Sequence, residues 1–155
     1  LNTNEILDIG TKIFERIFVL ETIPEIKEWI EGIMADVCAK VITDMNKKNS
    51  RITSSIKRII EKNYFKNLTV EDIAKEVNLS AGYATTIFKN ETGESISKYL
   101  INVRVQKAME MLKDENSRVY EVAEKVGYKN LTHFSYIFKS ITGLSPREYK
   151  ENVLR

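Results

Sequence analysis

Few side chains in this sequence are suited to covalent or metal chemistry. One histidine, His133, and one cysteine, Cys38, lie in separate segments of the 155-residue chain. A zinc site usually needs three or four ligands, and a catalytic cysteine needs a base within hydrogen-bond reach. A single cysteine also cannot form an internal disulfide. We therefore expect no catalytic residue, no metal site and no cofactor, and an enzyme is the least favoured class of protein.

Two short amphipathic segments are suited to a different chemistry, contact with a nucleic acid. Each has an apolar face that we expect to be buried: Ala84, Ile87 and Phe88 in the first, and Phe134, Ile137 and Phe138 in the second. The outward faces are Gly82, Thr85, Thr86 and Lys89, then Leu131, Thr132, Ser135, Tyr136 and Lys139. Hydroxyl groups and lysines contact base edges and phosphates in nucleic-acid complexes, so these faces are candidate recognition surfaces.

Charge is distributed unevenly along the chain. Residues 51–155 contain 18 Lys and Arg against 13 Asp and Glu, whereas residues 1–50 contain 6 against 9, and the whole chain has a net charge of +2. The later part, with its balance of +5, is the better candidate for binding a polyanion. On charge alone, a solvated and slightly basic surface is the simpler interpretation.

The two segments belong to an internal repeat. The first copy starts at Ile73 and the second at Val122. The positions that match at a shift of 50 residues are Ile87-Phe88-Lys89 with Ile137-Phe138-Lys139, Thr92-Gly93 with Thr142-Gly143, Ser95 with Ser145, and Tyr99 with Tyr149. Ala74 and Ala123 match at a shift of 49, so the second copy has one extra residue in the turn that follows.

The first 50 residues contain two apolar stripes at helical spacing. The stripes are Ile6, Ile13, Ile17 and Leu20, then Ile26, Ile30, Ile33, Val37 and Val41. They predict about two helices, with Pro24 in the first turn of the second. The polar stretch 46–50 predicts a linker or a helix end, and we place a domain boundary there.

After Ser50 the pattern predicts seven helices and little strand, so the predicted fold is all-α. Polar N-caps and glycine helix ends mark the boundaries. They are Thr69 with Asp72, Ser80, Gly93, Ser95, Gly127, Asn130, Gly143, and Ser145 with Pro146 and Glu148.

Each copy of the repeat has the features of a helix-turn-helix. Ala74 and Ala123 are small residues where a second helix must cross closely, and tight turns are predicted at 78–80 and 127–129. We assign the first unit to about residues 69–93, the connecting helix to about 95–113 and the second unit to about 118–143. Two helical hairpins that pack together without a ligand are the alternative interpretation.

The segment VGYKNLTHFSYIFKSITGLSPREYK resembles the second helix-turn-helix signature of the AraC/XylS family, and the resemblance covers roughly residues 52–153. It implies two helix-turn-helix subdomains joined by one long helix, with recognition helices in successive major-groove segments of duplex DNA. It also implies a sequence-specific transcription regulator. Residues 14–48, including FERIFVLETIPEIKEWIEGI, resemble the helical segment before this domain in YesN-type response regulators.

The resemblance assigns roles to individual residues. It implies base reading by Gly82, Thr85 and Thr86 in the first unit and by Leu131, Thr132 and Tyr136 in the second. Arginine is often found in the family where Thr86 and Tyr136 stand, which puts guanine contacts there in doubt. Lys89 and Lys139 can neutralise phosphates, and Ser80 and Asn130 can donate to phosphates at helix N-termini.

The remaining expectations concern partners and location. Beside double-stranded DNA, we expect RNA polymerase as a partner, and pairing of residues 1–50 with a second copy or with an upstream domain. Packing of residues 1–50 onto the DNA-binding part of the chain is the alternative. A helical module that binds RNA polymerase or another regulator, with weak or no DNA reading, is the alternative function. With no signal peptide and no apolar run long enough to cross a membrane, we expect a cytoplasmic protein. Leu1 in place of Met suggests a fragment, and a receiver domain, if one exists, precedes Leu1.

Overall fold

The computed structural model describes Thr11 and residues 22–154, and this part of the chain is helical without a strand. It contains seven helices: α1 (Ile23–Asn63), α2 (Val70–Glu76), α3 (Ala81–Thr92), α4 (Ile96–Met111), α5 (Val119–Lys125), α6 (Leu131–Thr142) and α7 (Pro146–Val153). The all-α prediction is therefore confirmed. The stripe predicted from Ile6 to Leu20 lies outside the described residues.

Helix α1 corrects one prediction. Its 41 residues continue through the polar stretch 46–50, where we expected a linker or a helix end. This stretch contains neither glycine nor proline, and each asparagine or serine costs a helix only about 0.5–0.7 kcal/mol relative to alanine. Polar residues alone therefore do not end a helix whose apolar pattern resumes at Ile52 and Ile56.

The contacts within the chain divide it into two units, residues 1–47 and residues 48–155. Among the described residues of the first unit, the side chains of α1 are almost all exposed, including Ile26, Ile30, Val37 and Val41. The roles that we assigned to the parts before and after residue 50 remain predictions.

The second unit of the chain contains two clusters of buried side chains. The first cluster is Ile56, Ile60, Ile73, Ala74, Ala84, Phe88, Ile96, Leu100 and Val103. The second cluster is Val105, Ala108, Leu112, Val122, Ala123, Val126, Tyr128, Phe134 and Phe138. Helix α4 contributes to both, since Val103 belongs to the first cluster and Val105 to the second. It is thus the connecting helix that the sequence predicted at about 95–113.

Side-chain caps fix where the helices begin and end. Thr69 with Asp72 and Ser145 with Glu148 form the two predicted capping boxes. Gly93 and Gly143 end α3 and α6 in the left-handed conformation, each with a φ of 79°. These caps limit the two candidate recognition helices to the same length of 12 residues.

Candidate nucleic-acid interface

The first turn of the repeat is held by two backbone hydrogen bonds. Leu79 N donates to Ala74 O at 2.9 Å, and Asn78 N donates to Lys75 O at 3.0 Å. Asn78 has a φ of 56°, a left-handed conformation that asparagine adopts more readily than most residues. This pattern is a Schellman motif, and it ends α2 so that α3 can start at its N-cap, Ser80.

The second turn repeats these hydrogen bonds and then adds a residue. Tyr128 N donates to Ala123 O at 2.9 Å and Gly127 N donates to Glu124 O at 2.9 Å. The N-cap of the next helix is Asn130, two residues after Tyr128, whereas Ser80 directly follows Leu79. The extra residue of the second copy is therefore Lys129, which is exposed immediately before the N-terminus of α6.

Helix α3 separates an inner face from an outer face as predicted. Ala84, Ile87 and Phe88 are buried, and Phe88 is completely inaccessible. On the other face Gly82, Thr86 and Lys89 are exposed, and Thr85 is half-buried. The Thr86 hydroxyl donates to Gly82 O at 3.0 Å, which leaves its oxygen lone pairs and its methyl group for an outside partner.

Helix α6 has the same division. Phe134 and Phe138 are fully buried, and Ile137 is partly buried against the second cluster. Leu131 is 44% exposed and Tyr136 is 72% exposed. Thr132 and Lys139 are also exposed, and Ser135 is half-buried. The outer surface of α6 is thus more apolar than that of α3, on which Tyr83 is the exposed large apolar side chain.

The two N-cap side chains keep donor groups available. Ser80 Oγ accepts from Tyr83 N at 3.3 Å, so its hydroxyl hydrogen can still be donated. Asn130 Oδ1 accepts from His133 N at 2.9 Å, and its Nδ2 group has no partner within the described part of the chain. Each donor lies at a helix N-terminus, where the helix dipole favours an anion.

The two lysines near the ends of the recognition helices differ in their surroundings. Hydrogen bonds from Ser145 lower the pKa of Glu148, and the charge of Lys139 lowers it further. Lys139 therefore has an ionised carboxylate nearby. Lys98 occupies the position of the repeat that matches Glu148, so the first unit has no carboxylate at that position.

Sequence analysis missed two residues near this surface. The sequence predicts Lys129 only as part of a turn, although the unequal shift of the repeat indicates an extra residue there. Arg104 was hidden within the apolar pattern of α4, where a basic residue stands between Val103 and Val105. Its side chain bridges the two halves of the domain through contacts that pattern analysis does not reveal.

Within residues 22–154, no group of three or more His, Cys, Asp or Glu side chains is placed to hold a metal ion. Over the same described residues, no helix is long and apolar enough to cross a membrane.

Two helix-turn-helix units with matching turns, joined by one shared helix, define the class of protein as a double helix-turn-helix domain. A family model described as "Helix-turn-helix domain" matches residues 73–152. The chain belongs to this family, which is of the AraC/XylS type.

Individual relatives agree with this assignment. YtdP, a helix-turn-helix-type transcriptional regulator of Bacillus subtilis (strain 168), is 29% identical over 94% of this chain, and the match spans 19% of that protein. The C-terminal domain of AraT, a response regulator from Geobacillus stearothermophilus, has a TM-score of 0.63 and 33% identity, covering 65% of this chain and 84% of that domain. The C-terminal domain of the two-component response regulator yesN from Fusobacterium nucleatum has a TM-score of 0.59 and 31% identity, covering 61% of this chain and 93% of that domain. The resemblance to AraC/XylS and YesN-type regulators is confirmed.

Proposed function

We propose that this chain is the sequence-specific, duplex-DNA-binding part of a bacterial transcription regulator, in which α3 and α6 enter successive major-groove segments. The observation that carries this proposal is the repeated recognition helix. Both copies bury an aromatic face in their own cluster, expose the opposite face, and are connected through α4. A major groove admits an α-helix. Two exposed helix faces, one in each unit, therefore suit two segments of one duplex better than they suit a compact ligand.

In the first unit, Gly82, Thr85 and Thr86 are the proposed base-reading residues. A Cβ placed on Gly82 would find no atom of the described residues within 4 Å, so the fold itself does not require glycine there. Absence of a side chain at an exposed position lets a base edge approach the backbone. Thr86 can accept from a base amino group or place its methyl group against a thymine methyl.

In the second unit, Leu131, Thr132 and Tyr136 are the proposed reading residues. Leu131 offers only apolar contact, best with a thymine methyl. Tyr136 suits stacking on a sugar or a hydrogen bond to a phosphate, and Thr132 can contact a base edge. The second unit is therefore proposed to contribute more to positioning the protein on the duplex than to reading bases.

Phosphate contacts are proposed for Ser80, Lys89, Asn130 and Lys139, and Lys129 joins them because of its exposed place beside Asn130. Such contacts set the register of a protein on the duplex without reading sequence. Lys89 is expected to contribute more than Lys139, because Glu148 lies near the latter.

A further part of the proposal concerns residues 1–50, as a dimerisation or signal-coupling segment. Ile30, Val37 and Val41 remain exposed on α1, at spacings typical of a helix-pairing stripe. Both charge signs occur beside this stripe, as in the ion pair of Lys27 with Glu31, so a second copy can supply complementary charges. We propose a second copy as the occupant, and RNA polymerase as a further partner on the DNA. A protein that binds the bacterial chromosome must be cytoplasmic, so we propose that location.

Selection of bound sequences from a random duplex library tests the DNA-reading function. We expect two short conserved blocks whose centres lie about 10 base pairs, one helical turn, apart. Recovery of sequences with no common block would instead favour a helical module that binds another protein.

A further inference from the structure

Arg104 lies on α4 at the junction between the two halves of the DNA-binding domain. Val103, the residue before it, belongs to the first cluster, and Val105, the residue after it, belongs to the second. The Arg104 side chain is half-buried, and burial lowers its pKa. Among the described residues, no carboxylate forms an ion pair with it. A half-buried cation without a carboxylate needs other partners.

Those partners begin with the segment that follows α1. Arg104 Nε donates to Tyr64 O at 2.8 Å, and Arg104 Nη2 donates to Lys66 O at 2.8 Å. The Tyr64 side chain packs against both clusters. Two donors of one planar guanidinium, each on its own carbonyl, hold this segment in one orientation, which a lysine ammonium cannot reproduce.

The third partner is Tyr128, in the turn of the second helix-turn-helix. The guanidinium carbon of Arg104 lies 5.3 Å from the centre of the Tyr128 ring, within the range of a cation–π contact. The same ring lies 5.4 Å from the Phe134 ring and 5.8 Å from the His133 ring. Since Phe134 and His133 belong to α6, Arg104 is linked through one ring to the second recognition helix.

Gly127 shows how closely the two halves approach. A Cβ on Gly127 would lie 2.9 Å from Phe65 O and 3.1 Å from Arg104 Nη2. The second turn therefore packs directly on the segment 64–66 and on the guanidinium, with no space for a side chain between them.

From these contacts we propose that Arg104 is a positioning residue that fixes the separation of α3 and α6, and so restricts binding to DNA sites with one spacing between their halves. This proposal rests on the proposed function. One base pair moves a half-site by about 3.4 Å and rotates it by about 35°. A junction held by two hydrogen bonds and an aromatic contact resists such a change, whereas a junction held by apolar contacts alone yields to it.

The DNA experiment compares the full chain with its Arg104→Met and Arg104→Lys variants. Each is titrated with the selected duplex and with duplexes that have one base pair added or removed between the two halves. We expect the unchanged chain to lose about tenfold or more in affinity when the spacing changes, and Arg104→Met to lose less than about threefold. Arg104→Lys keeps the charge, and its loss of affinity on a change of spacing is expected to lie between those of the unchanged chain and Arg104→Met. Lys107→Met, which removes a charge from the same helix, should behave like the unchanged chain.

A second measurement needs no DNA and remains valid if the proposed function is wrong. Spin labels on Lys89→Cys and Lys139→Cys, in a Cys38→Ser background, report the distance between α3 and α6. We expect one narrow distance distribution, and a broader one when Arg104→Lys or Arg104→Met is added. An unchanged distribution in folded variants would overturn the proposal. The proposal would also be overturned if Arg104→Met lowered the affinity by the same factor for every spacing between the two halves of the site. Loss of all sequence preference with a broadened distribution would contradict the DNA-reading function and leave the positioning role supported.

Discussion

Asn78 and Gly127 occupy the same position in the two turns, and both have a left-handed backbone, with φ of 56° and 90°. The hydrogen bonds around them also match, since the following residue donates to Ala74 O in one copy and to Ala123 O in the other. The second position is crowded, because a Cβ there would lie 2.9 Å from Phe65 O. Asparagine is therefore sufficient in the first turn, because it can adopt the left-handed conformation. The second turn requires glycine, because it also has no space for a side chain.

Gly127→Ala should destabilise the protein more than Gly93→Ala. Both positions have positive φ, 90° and 79°, but a Cβ on Gly93 would meet no atom of the described residues within 4 Å. Left-handed strain alone costs about 1–2 kcal/mol, and the close contacts at Gly127 should raise the cost to about 3 kcal/mol or more. Chemical denaturation of both variants measures the difference. Equal losses of unfolding free energy would show that the close approach at Gly127 is relieved without cost.

Affinity for duplex DNA should fall steeply with salt. The balance of +5 in residues 51–155 and the exposed lysines beside α3 and α6 are expected to neutralise about four to six phosphates. Affinity should then fall roughly tenfold or more when the salt concentration is doubled or tripled. Titration of the selected duplex across a salt series gives the slope. A flat response would contradict phosphate neutralisation by this surface.

Base reading and phosphate positioning should respond differently to substitution. Thr86→Ala removes an exposed side chain from α3, so stability should change by only about 0.5 kcal/mol. The base preference within one half of the site should change by about 1–3 kcal/mol if a good contact is lost. Lys139→Ala should weaken all sequences about equally and lower the salt slope by about one.

Both variants should be titrated with the same panel of duplexes that carry single base changes. If Thr86→Ala scales every affinity by one factor, α3 does not read a base at that position. The search for specificity would then move to Leu131, Thr132 and Tyr136.

Self-association through α1 can be tested on the full chain. Ile30→Glu with Val37→Glu places two charges on the exposed apolar stripe, which should abolish pairing because buried like charges are unfavourable. Ala39→Glu with Asn46→Glu adds the same charges, seven residues apart, on the opposite side of the helix and should leave pairing intact. Light scattering at several concentrations gives the molar mass. If the unchanged chain is monomeric throughout, a second copy is not the partner of this stripe.

The sequence predicted most of the fold because its local preferences and its repeat agree. A capping box is recognisable from four consecutive residues, as in Thr69 with Asp72 and in Ser145 with Glu148. The matched apolar faces of the repeat identified Phe88 and Phe138 as core residues. The helix end predicted at 46–50 was wrong, because a polar stretch without glycine or proline does not by itself end a helix.

Long-range contacts could not be predicted from the sequence, for a different reason. Arg104 contacts carbonyls that lie 38 and 40 residues away in sequence, and no local pattern specifies such a partner. The assignment of base-reading residues followed from their exposed positions on α3 and α6 and from the family resemblance, and it stays a prediction.

The most direct test of the account is a footprint on the selected duplex with a reagent that attacks guanine N7 in the major groove. With the unchanged chain, we predict two protected stretches on one face of the duplex, with centres about 10 base pairs apart. Thr86→Glu should remove protection from one stretch, and Thr132→Glu from the other, because a carboxylate on either exposed face is repelled by DNA phosphates. A single protected stretch, or two stretches that both substitutions affect alike, would contradict the claim that α3 and α6 each read a separate major-groove segment.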